Sequence, residues 1–336
     1  MSHADHDGLT GSCLIDLIYS NTKPLLKKFH PSRTQSYFSI LNKVFLLSPK
    51  YLLIIDALIR SYQKFIEKFL KKGIKVINLD HHDLLSIKHE NYLDINPHNW
   101  NFEFMNSSGL CWLIAKEIDE KYFKERCWIA GIGAIQDYCI EDNKELMEEL
   151  VRREYIKKIS LESALDSELL KHAKTIDSAV NLFSVNETYQ IFFQAAREND
   201  IKKLQTNEKF VKAFEIYKNK LNEVYRQIDE SKKINEIGGI KVKFYDLKGN
   251  DISMISDFCE MEREKAIYVG YSNGLLGFRS LFYDYDVRKL AKVFGGGGPH
   301  RRVGGAKTSK LFNEIVKEVS NYLRREKSQR MLDEFG

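Results

Sequence analysis

The sequence predicts an α/β protein with a parallel-sheet N-terminal domain, a helical middle and connector, and a smaller C-terminal α/β domain. Three observations lead to this fold class. Short apolar runs alternate with helical patterns in the first half, as they do in βαβ units. From Ser107 to about Lys233 the pattern is almost wholly helical, and strand-like segments return after Gly238-Gly239. We therefore expect a first domain at 1–205, a helical linker at 206–237 and a second domain at 238–336.

The composition is typical of a compact globular protein. A length of 336 residues leaves room for two domains, and 43% apolar residues with only five prolines argue against disorder. No apolar run approaches the roughly 18–20 residues that span a bilayer. The N-terminus is polar and acidic, unlike a secretory signal, and the five cysteines are scattered without CxxC spacing. We expect a cytoplasmic protein that has no membrane contact, disulfide framework or structural zinc site.

Two predicted strands of the first domain each end at an acidic residue. Tyr51–Ile55 is a compact apolar run that ends at Asp56, and Ile74–Leu79 ends at Asp80. Residues 60–72 between them have helical spacing and are followed by a glycine stop. Because open α/β sheets place their sites at the carboxyl ends of strands, both ends are candidate site positions.

The remaining elements are predicted from local patterns. Ser107-Ser108 is a suitable N-cap for the first helix of the middle region, and a long charged helix is expected at Phe210–Lys233. In the second domain we expect strands at Ile240–Tyr245, Ala266–Tyr271 and Leu275–Ser280, and helices near 252–263, at Asp286–Phe294 and at Thr308–Lys327.

Four distant stretches carry acidic and imidazole side chains: His3–Gly8 (HADHDG), Asp56, Asp80-His81-His82, and Asp137 near the end of the helical segment Cys127–Tyr138. Singly, each is explained as well by a turn or a helix cap. Together, carboxylates mixed with imidazoles suit Mn²⁺, with Mg²⁺ as the alternative where oxygen ligands dominate. Gly8 would permit a tight turn that lets Asp5 and Asp7 converge on one cation. Two ions about 3.5–4 Å apart would be bridged by a carboxylate and would clamp a phosphoryl group.

The net charge of +5 is mildly basic, but the cations are clustered. Clustered cations attract polyphosphate chains, although such runs are also common on solvated faces. The clusters are Lys23, Lys27, Lys28 and Arg33; Arg301, Arg302, Lys307 and Lys310; and Arg324, Arg325, Lys327 and Arg330.

In this order, the motifs resemble those of the DHH–DHHA1 phosphoesterase superfamily. HADHDG resembles its first motif, Asp56 after YLLII its second, LDHHD (79–83) its third and GIGAIQD, which ends at Asp137, its fourth. GFRS (277–280) and DVRKLAKVFGGGGPH (286–300) resemble the signature of its second domain. The superfamily includes RecJ-type exonucleases, nanoRNases, cyclic-dinucleotide phosphodiesterases and family II pyrophosphatases.

The resemblance implies a role for each matching residue. It implies two divalent ions held by His3, Asp5, Asp7, Asp56, His81 and Asp137, with Asp56 as the bridging ligand. His82 would face the scissile phosphate, Asp80 would orient the site, and no protein nucleophile would be needed. The nucleotide end of the substrate would be held by Arg279, Ser280, Gly295, Gly296, Gly297, Gly298, His300, Arg301 and Arg302.

The chain departs from the family pattern in three places. Two residues precede His3, so the strand that leads into the first motif is expected to be absent or truncated. Pro299 stands between the glycines and His300, and Gly304-Gly305-Ala306 replaces the usual Ala-Ala-Gly. The pair Arg301-Arg302 adds positive charge here, which favours a longer anionic substrate over a single nucleotide.

The resemblance implies an exonuclease that releases mononucleotides from single-stranded DNA, RNA or both, with 3′→5′ polarity favoured. In its two-domain size and helical middle the chain resembles the archaeal DHH exonucleases of this superfamily, so a DNA-repair helicase or replication proteins are candidate partners, and a homo-oligomer is also left open. The first alternative is a phosphodiesterase for nanoRNA, pAp or cyclic dinucleotides. The second is an inactive DHH scaffold in a replication or repair complex, and a family II pyrophosphatase is disfavoured by the GGGGxH loop.

Overall fold

In a computed structural model of the full chain, the structure describes residues 1–20, 37–57, 62–82, 87–229 and 232–335. Lys23, Lys27, Lys28, Arg33 and Asp83, together with the side chain of Arg330, lie outside this description. The chain divides into two compact units, Met1–Tyr217 and Lys218–Gly336. The predicted boundaries at 205 and 237 stay a prediction.

The first unit combines a small sheet with many helices. Its elements are α1 (His6–Ser20), α2 (Tyr37–Leu47), β1 (Tyr51–Ile55), α3 (Gln63–Lys71), β2 (Lys75–Leu79), β3 (Tyr92–Ile95), a 3₁₀ helix (Pro97–Trp100), α4 (Ser107–Ile118), α5 (Glu120–Glu125), α6 (Cys127–Gln136), α7 (Lys144–Arg152), α8 (Leu161–Leu165), α9 (Glu168–Leu182), α10 (Val185–Glu198) and α11 (Lys202–Thr206). Helix α12 (Glu208–Asp229) begins in this unit and ends in the second. The second unit continues with β4 (Lys233–Ile237), β5 (Ile240–Asp246), α13 (Met254–Glu262), β6 (Ile267–Ser272), β7 (Leu275–Arg279), α14 (Arg288–Val293), β8 (Gly297–His300), β9 (Val303–Lys307) and α15 (Phe312–Phe335).

The predicted parallel sheet is present in the first unit. Its strand order is β1-β2-β3, with Tyr51 opposite Lys75 and Val76 opposite Tyr92. Strand β3 was not predicted, because it is only partly buried and shows no compact apolar run. Ahead of β1 in the chain, Ser2 forms a parallel bridge with Ile55, and the backbone amide of Ile55 donates to the carbonyl of Met1 (2.8 Å). The chain therefore pairs with the end of β1 immediately before His3.

Helices α1, α4 and α6 pack closely together beside the sheet. Every residue of α6 from Cys127 to Ile135 is buried, and Trp112 and Trp128 are fully enclosed in the same core. A β-carbon added to Gly133 would lie only 2.3 Å from the Oγ atom of Ser108 and 2.8 Å from Oδ1 of Asp7. A glycine at this position therefore lets α6 approach the start of α1 and the start of α4.

The second unit is built on a mixed sheet with the order β4-β5-β6-β7-β9-β8. Strands β5 and β6 are parallel and are connected through α13, whereas the other neighbours are antiparallel. The core between this sheet and its helices includes Phe244, Phe278 and Val319. Each predicted strand and helix of this domain is therefore present, with bounds that differ from the predicted ones.

Two predictions for the second half were wrong in detail. The long helix was expected to reach Lys233, but Lys233–Ile237 forms β4, and the described part of the helix extends to Asp229. Gly238 and Gly239 have positive φ angles of 62° and 83° and form the turn that pairs β4 with β5. No strand was predicted after Phe294, but Gly297–His300 forms β8 and pairs with β9.

None of the described helices combines the length and the apolar character needed to cross a membrane.

We expect Gly133→Ala to lower the free energy of unfolding by about 1–3 kcal/mol, because the added methyl group overpacks the contact between α6, Ser108 and Asp7. Thermal unfolding followed by circular dichroism would measure this. Gly297→Ala is the control, because nothing lies within 4 Å of its added β-carbon. Equal melting temperatures for the two variants would contradict the packing described here.

Candidate metal centre

Four of the predicted ligands lie at or next to the ends of four elements in the first unit. Asp56 follows β1, His81 follows β2, Asp7 lies in the first turn of α1, and Asp137 follows the last residue of α6. Asp56 has a φ angle of 52°, a left-handed conformation that is uncommon outside glycine and often found at functional sites. All four side chains come together, although they are spread over more than 130 positions of the sequence.

The ligand atoms form three overlapping groups, each with its atoms within 4.8 Å of one another. The groups are His3, Asp5 and Asp56; Asp7, His81 and Asp137; and Asp56, His81 and His82. The two oxygens of Asp56 face different groups. Its Oδ2 atom is 3.9 Å from Nδ1 of His3, whereas its Oδ1 atom is 3.4 Å from Nε2 of His81. This is the arrangement that a carboxylate shared by two ions requires.

The first motif is not a tight turn, contrary to the prediction. The chain passes from the short pairing with β1 directly into α1, which begins at His6. Gly8 has an ordinary φ angle, but a β-carbon there would lie 2.4 Å from the backbone oxygen of His3. Glycine at this position therefore lets the backbone of α1 approach the backbone of His3. The side chain of His3 contacts Asp5.

The N-terminus of α4 holds Asp7 in place. The backbone amides of Ser107 and Ser108 donate to its two carboxylate oxygens (2.9 and 2.8 Å), and Nδ2 of Asn106 donates to Oδ1 (2.5 Å). Free amides at a helix start favour a negative charge. Asn106 caps the same helix through its side chain, which accepts from the amide of Gly109. The sequence-based prediction placed the cap at Ser107-Ser108, one residue too late, and did not foresee the contact with Asp7.

Asp80 orients the two histidines that follow it. Its Oδ1 atom accepts from the backbone amides of His81 and His82 (2.8 and 3.1 Å) and contacts Nδ1 of His82 (2.7 Å). Two further side chains hold this loop from the other side. Nδ2 of Asn96 donates to the carbonyl of His82 (2.8 Å), and Nε2 of His98 donates to the carbonyl of His81 (2.9 Å).

His6 is a part of the centre that sequence reasoning missed. Its Nε2 atom is 3.0 Å from Oδ1 of Asp137, and its Nδ1 atom is 2.9 Å from Oδ2 of Asp177 on α9. The position between Asp5 and Asp7 was the available signal for His6. Asp177, Asn106 and His98 belong to no motif in the sequence and could be found only from the fold.

Burial and mutual repulsion perturb the carboxyl groups of the centre. Asp7 is 1% exposed, and burial together with the charge of Asp137 raises its pKa to about 7. Burial also raises the pKa of Asp56 well above its usual range, and the charges of Asp5 and Asp7 add to this shift. Burial alone would raise the pKa of Asp137 as well, but the neighbouring His6 outweighs it and lowers that pKa.

The pKa values of the two histidines of the third motif shift in opposite directions. Burial lowers the pKa of His81 to about 4, and His82 adds to the effect, so His81 is neutral near pH 7 and able to ligate a metal. Burial opposes the charge on His82 too, but the hydrogen-bonded Asp80 outweighs it and raises the pKa of His82 to about 9. His82 is therefore a cation near neutral pH.

One observation in particular indicates that these carboxylates and imidazoles could bind a divalent cation. Oδ2 of Asp137 is buried and accepts no hydrogen bond from any described residue. Among the described residues, moreover, every ion pair of Asp5, Asp7, Asp56 and Asp137 is formed with a histidine. Buried carboxylates without a lysine or arginine partner commonly coordinate metals. The mixture of carboxylate and imidazole suits Mn²⁺ or Mg²⁺.

The residues predicted to bind substrate lie in the second unit, around β7, β8 and β9. Arg279 donates from Nε to Oγ of Ser256 (2.6 Å) and from Nη1 to the carbonyls of Phe278 and Gly304 (2.9 and 3.2 Å). Ser280 donates to the carbonyls of Tyr283 and Tyr285 (both 2.7 Å). Both side chains thus have roles within the fold of this unit.

The remaining predicted residues follow along β8 and into the turn before β9. Gly296 and Gly298 let β8 approach β9, because added β-carbons would lie 2.0 Å from the carbonyl of Gly305 and 1.9 Å from that of Val303. Gly295 has a φ angle of 74° and lies just after α14, and nothing lies within 4 Å of the site of a β-carbon on Gly297. His300 is buried, whereas Arg301 pairs with Asp284 (2.8 Å) and Arg302 is half-buried.

We expect Mn²⁺ to raise the melting temperature more at pH 8 than at pH 6. Asp7, with a pKa of about 7, is mostly protonated at the lower pH, and the raised pKa of Asp56 acts in the same direction, so protons compete with the metal. In the metal-free protein, the stability that the raised pKa of Asp7 contributes is full below about pH 4 and is lost as the pH passes 7. Differential scanning fluorimetry with MnCl₂ or EDTA would measure both effects.

Asp56→Asn tests whether the charge of this carboxylate is responsible for both effects, because asparagine tolerates the left-handed conformation but cannot ionise. We expect it to melt a few degrees higher than the wild type in EDTA at pH 8 and to lose most of the Mn²⁺ response. Equal Mn²⁺ shifts at both pH values, or an undiminished shift in the variant, would contradict the ligand assignment.

No family model matches the chain, and no curated protein matches it in sequence. Solved structures do match it. A member of the s1p family of ribosomal proteins, described as a DHH domain, is 17% identical with a TM-score of 0.67, over 96% of this chain and 84% of that one.

Two structures of the exonuclease RecJ are also similar. One, bound to manganese, is 17% identical with a TM-score of 0.58, over 96% of this chain and 89% of that one. The other, from Thermus thermophilus and in complex with Mn²⁺, is 17% identical with a TM-score of 0.64, but the 96% of this chain that is covered spans only 52% of that protein. At this level of identity the likeness is one of fold alone, and the fold of this chain is similar to that of RecJ and of this DHH domain.

Proposed function

We propose that this protein is a divalent-metal-dependent phosphodiesterase that removes mononucleotides from the ends of single-stranded DNA or RNA, with 3′ ends favoured. The observation that carries the proposal is the shared position of Asp56. One of its oxygens faces the group formed with His3 and Asp5, and the other faces His81, which belongs to the group with Asp7 and Asp137. The donor set therefore suits two ions bridged by one carboxylate.

Each ligand has a distinct electrostatic task. Asp5, Asp7, Asp56 and Asp137 would supply negative charge, and His3 and His81 would complete the two sets through ring nitrogens, which must be free of a proton to bind a metal. When bound, the ions would supply Lewis-acid stabilisation of the phosphoryl group and would lower the pKa of a water molecule. Mn²⁺ is the ion we favour, because imidazoles stand among the carboxylates and RecJ proteins of the same fold have been crystallised with manganese.

His82 would meet the negative charge of the substrate. Its Nδ1 atom contacts Asp80, whose oxygen also fixes the backbone of the loop, so the ring is held in one orientation. Without a metal, burial opposes the charge on His82, but the hydrogen-bonded Asp80 raises its pKa to about 9, which favours the charged form at neutral pH. A cation held in this way would stabilise the charge that develops on phosphoryl oxygens, and Asp80 would position it.

Nucleic acid is the proposed substrate because of features in the second unit. Arg301 and Arg302 lie in the turn between β8 and β9, next to the glycine-rich strand, and would contact backbone phosphates. Arg279, Ser280, Gly295–Gly298 and His300 would bind the terminal nucleotide. Of these, Gly297 offers open backbone, whereas Gly296 and Gly298 serve strand packing.

The substrate class can be tested with an end-labelled ladder of DNA and RNA from two to forty nucleotides, incubated with protein and Mn²⁺. We expect stepwise release of mononucleotides from long strands and faster loss of the label at the 3′ end. Cleavage confined to dimers and trimers, pAp or cyclic dinucleotides would replace the exonuclease with the short-substrate alternative. Release of phosphate from pyrophosphate alone would replace both.

Asp137→Ala tests whether the centre is catalytic or only structural. We expect this variant to lose turnover by at least a hundredfold while it retains strand binding, because the basic residues of the second unit are unchanged. Strand cleavage that persists in Mn²⁺ would refute the assignment. If neither the variant nor the wild type cleaves any substrate, the inactive-scaffold alternative stands, and partners such as a repair helicase, replication proteins or a second copy of the chain would be sought by pull-down and light scattering.

We expect Arg301→Ala combined with Arg302→Ala to raise KM for strands and to flatten the dependence of log K on log salt by about 1.4, which is about 0.7 for each lost phosphate contact. Fluorescence anisotropy from 50 to 200 mM salt would measure this slope. Lys202→Ala with Lys203→Ala removes the same charge from the exposed helix α11 and is the control. An unchanged slope in the arginine variant, or an equal change in both, would remove Arg301 and Arg302 from the substrate path.

A further inference from the structure

His6 and Asp177 lie beside the metal-binding groups but belong to none of them. Asp177 holds His6 at two points, because its Oδ1 atom accepts from the backbone amide (3.0 Å) and its Oδ2 atom contacts Nδ1 of the ring (2.9 Å). The two residues are 171 positions apart in the sequence. The start of α1 and the middle of α9 are thus joined through one carboxylate.

The other ring nitrogen of His6 meets a proposed metal ligand. Its Nε2 atom is 3.0 Å from Oδ1 of Asp137. Since a carboxylate oxygen can only accept, each ring nitrogen must carry a proton to make its bond. Both protons are then directed at protein carboxylates, and the ring itself is buried. This geometry is unsuited to protonating a leaving group but well suited to fixing a neighbour.

The two oxygens of Asp137 are consequently not equivalent. Oδ1 is engaged by His6, whereas Oδ2 accepts no hydrogen bond from the described residues and is 3.9 Å from Nε2 of His81. Asp137 follows the last residue of α6, so its side chain is not held within a helix on both sides. Without the bond to His6, rotation of the carboxyl group would exchange or misdirect the two oxygens.

We propose that Asp177 and His6 form a positioning dyad, which holds Oδ1 of Asp137 so that Oδ2 is presented to a divalent cation. This inference rests on the metal centre of the proposed function and goes beyond it by assigning two residues outside the ligand set. Hydrogen-bonded partners of metal ligands typically contribute 10- to 100-fold to metal affinity, through the orientation of the ligand.

The test uses the full-length protein, MnCl₂ as the probe and isothermal titration calorimetry as the readout, without any substrate. We expect Asp177→Asn to weaken one Mn²⁺ site by about 10- to 100-fold. The fold should persist, because asparagine retains an oxygen that can accept from the amide of His6. The control is Glu168→Gln, which removes a carboxylate from the exposed start of the same helix. If Asp177→Asn does not fold, His6→Asn replaces it with the same expectation.

A double-mutant cycle with Asp137→Asn distinguishes positioning from a general loss of structure. If the dyad acts through Asp137, Asp177→Asn should change the Mn²⁺ affinity little in that background. An equal loss in both backgrounds, or unchanged affinity in the single variant while the wild type binds Mn²⁺, would overturn the dyad and leave the proposed function intact. Absence of Mn²⁺ binding by the wild type would overturn the proposed function itself.

Discussion

The crowding of buried carboxylates at the ends of β1, α1 and α6 is the constraint on which the rest of the first unit depends. Negative charges held this close repel one another, and burial removes the water that would screen them. The raised pKa values of Asp7 and Asp56 are the direct sign of that strain. A bound cation would relieve this repulsion. Three separate features of the structure hold the carboxylates in position for one.

These three features depend on the backbone as much as on the side chains. The amides at the start of α4 hold both oxygens of Asp7, the left-handed conformation of Asp56 aims its carboxylate between two ligand groups, and Gly133 allows α6 to approach closely enough to deliver Asp137. Each of them positions one proposed metal ligand. Their concentration around one point supports the proposed metal-dependent function.

The fold class and the meeting of the ligand stretches could be predicted from the sequence, because strand ends in a parallel sheet lie side by side and the motifs occur in order. Asp56 and Asp80 follow apolar runs that could be recognised as strands without the structure. The partners of these residues could not be predicted in the same way. Asp177 and Asn106 reach the centre only through helix packing, which leaves no local pattern, and β8 carries too many glycines to show a strand pattern. The tight turn expected at Gly8 failed because glycine serves close packing as well as unusual backbone angles.

A crystal of the full-length protein soaked in MnCl₂ would test the central claim most directly, through anomalous scattering at the manganese edge. The account predicts two peaks about 3.5–4 Å apart, with one oxygen of Asp56 on each ion, His3 and Asp5 on one side, and Asp7, His81 and Asp137 on the other. Manganese bound elsewhere in the protein, with these side chains unliganded, would contradict it.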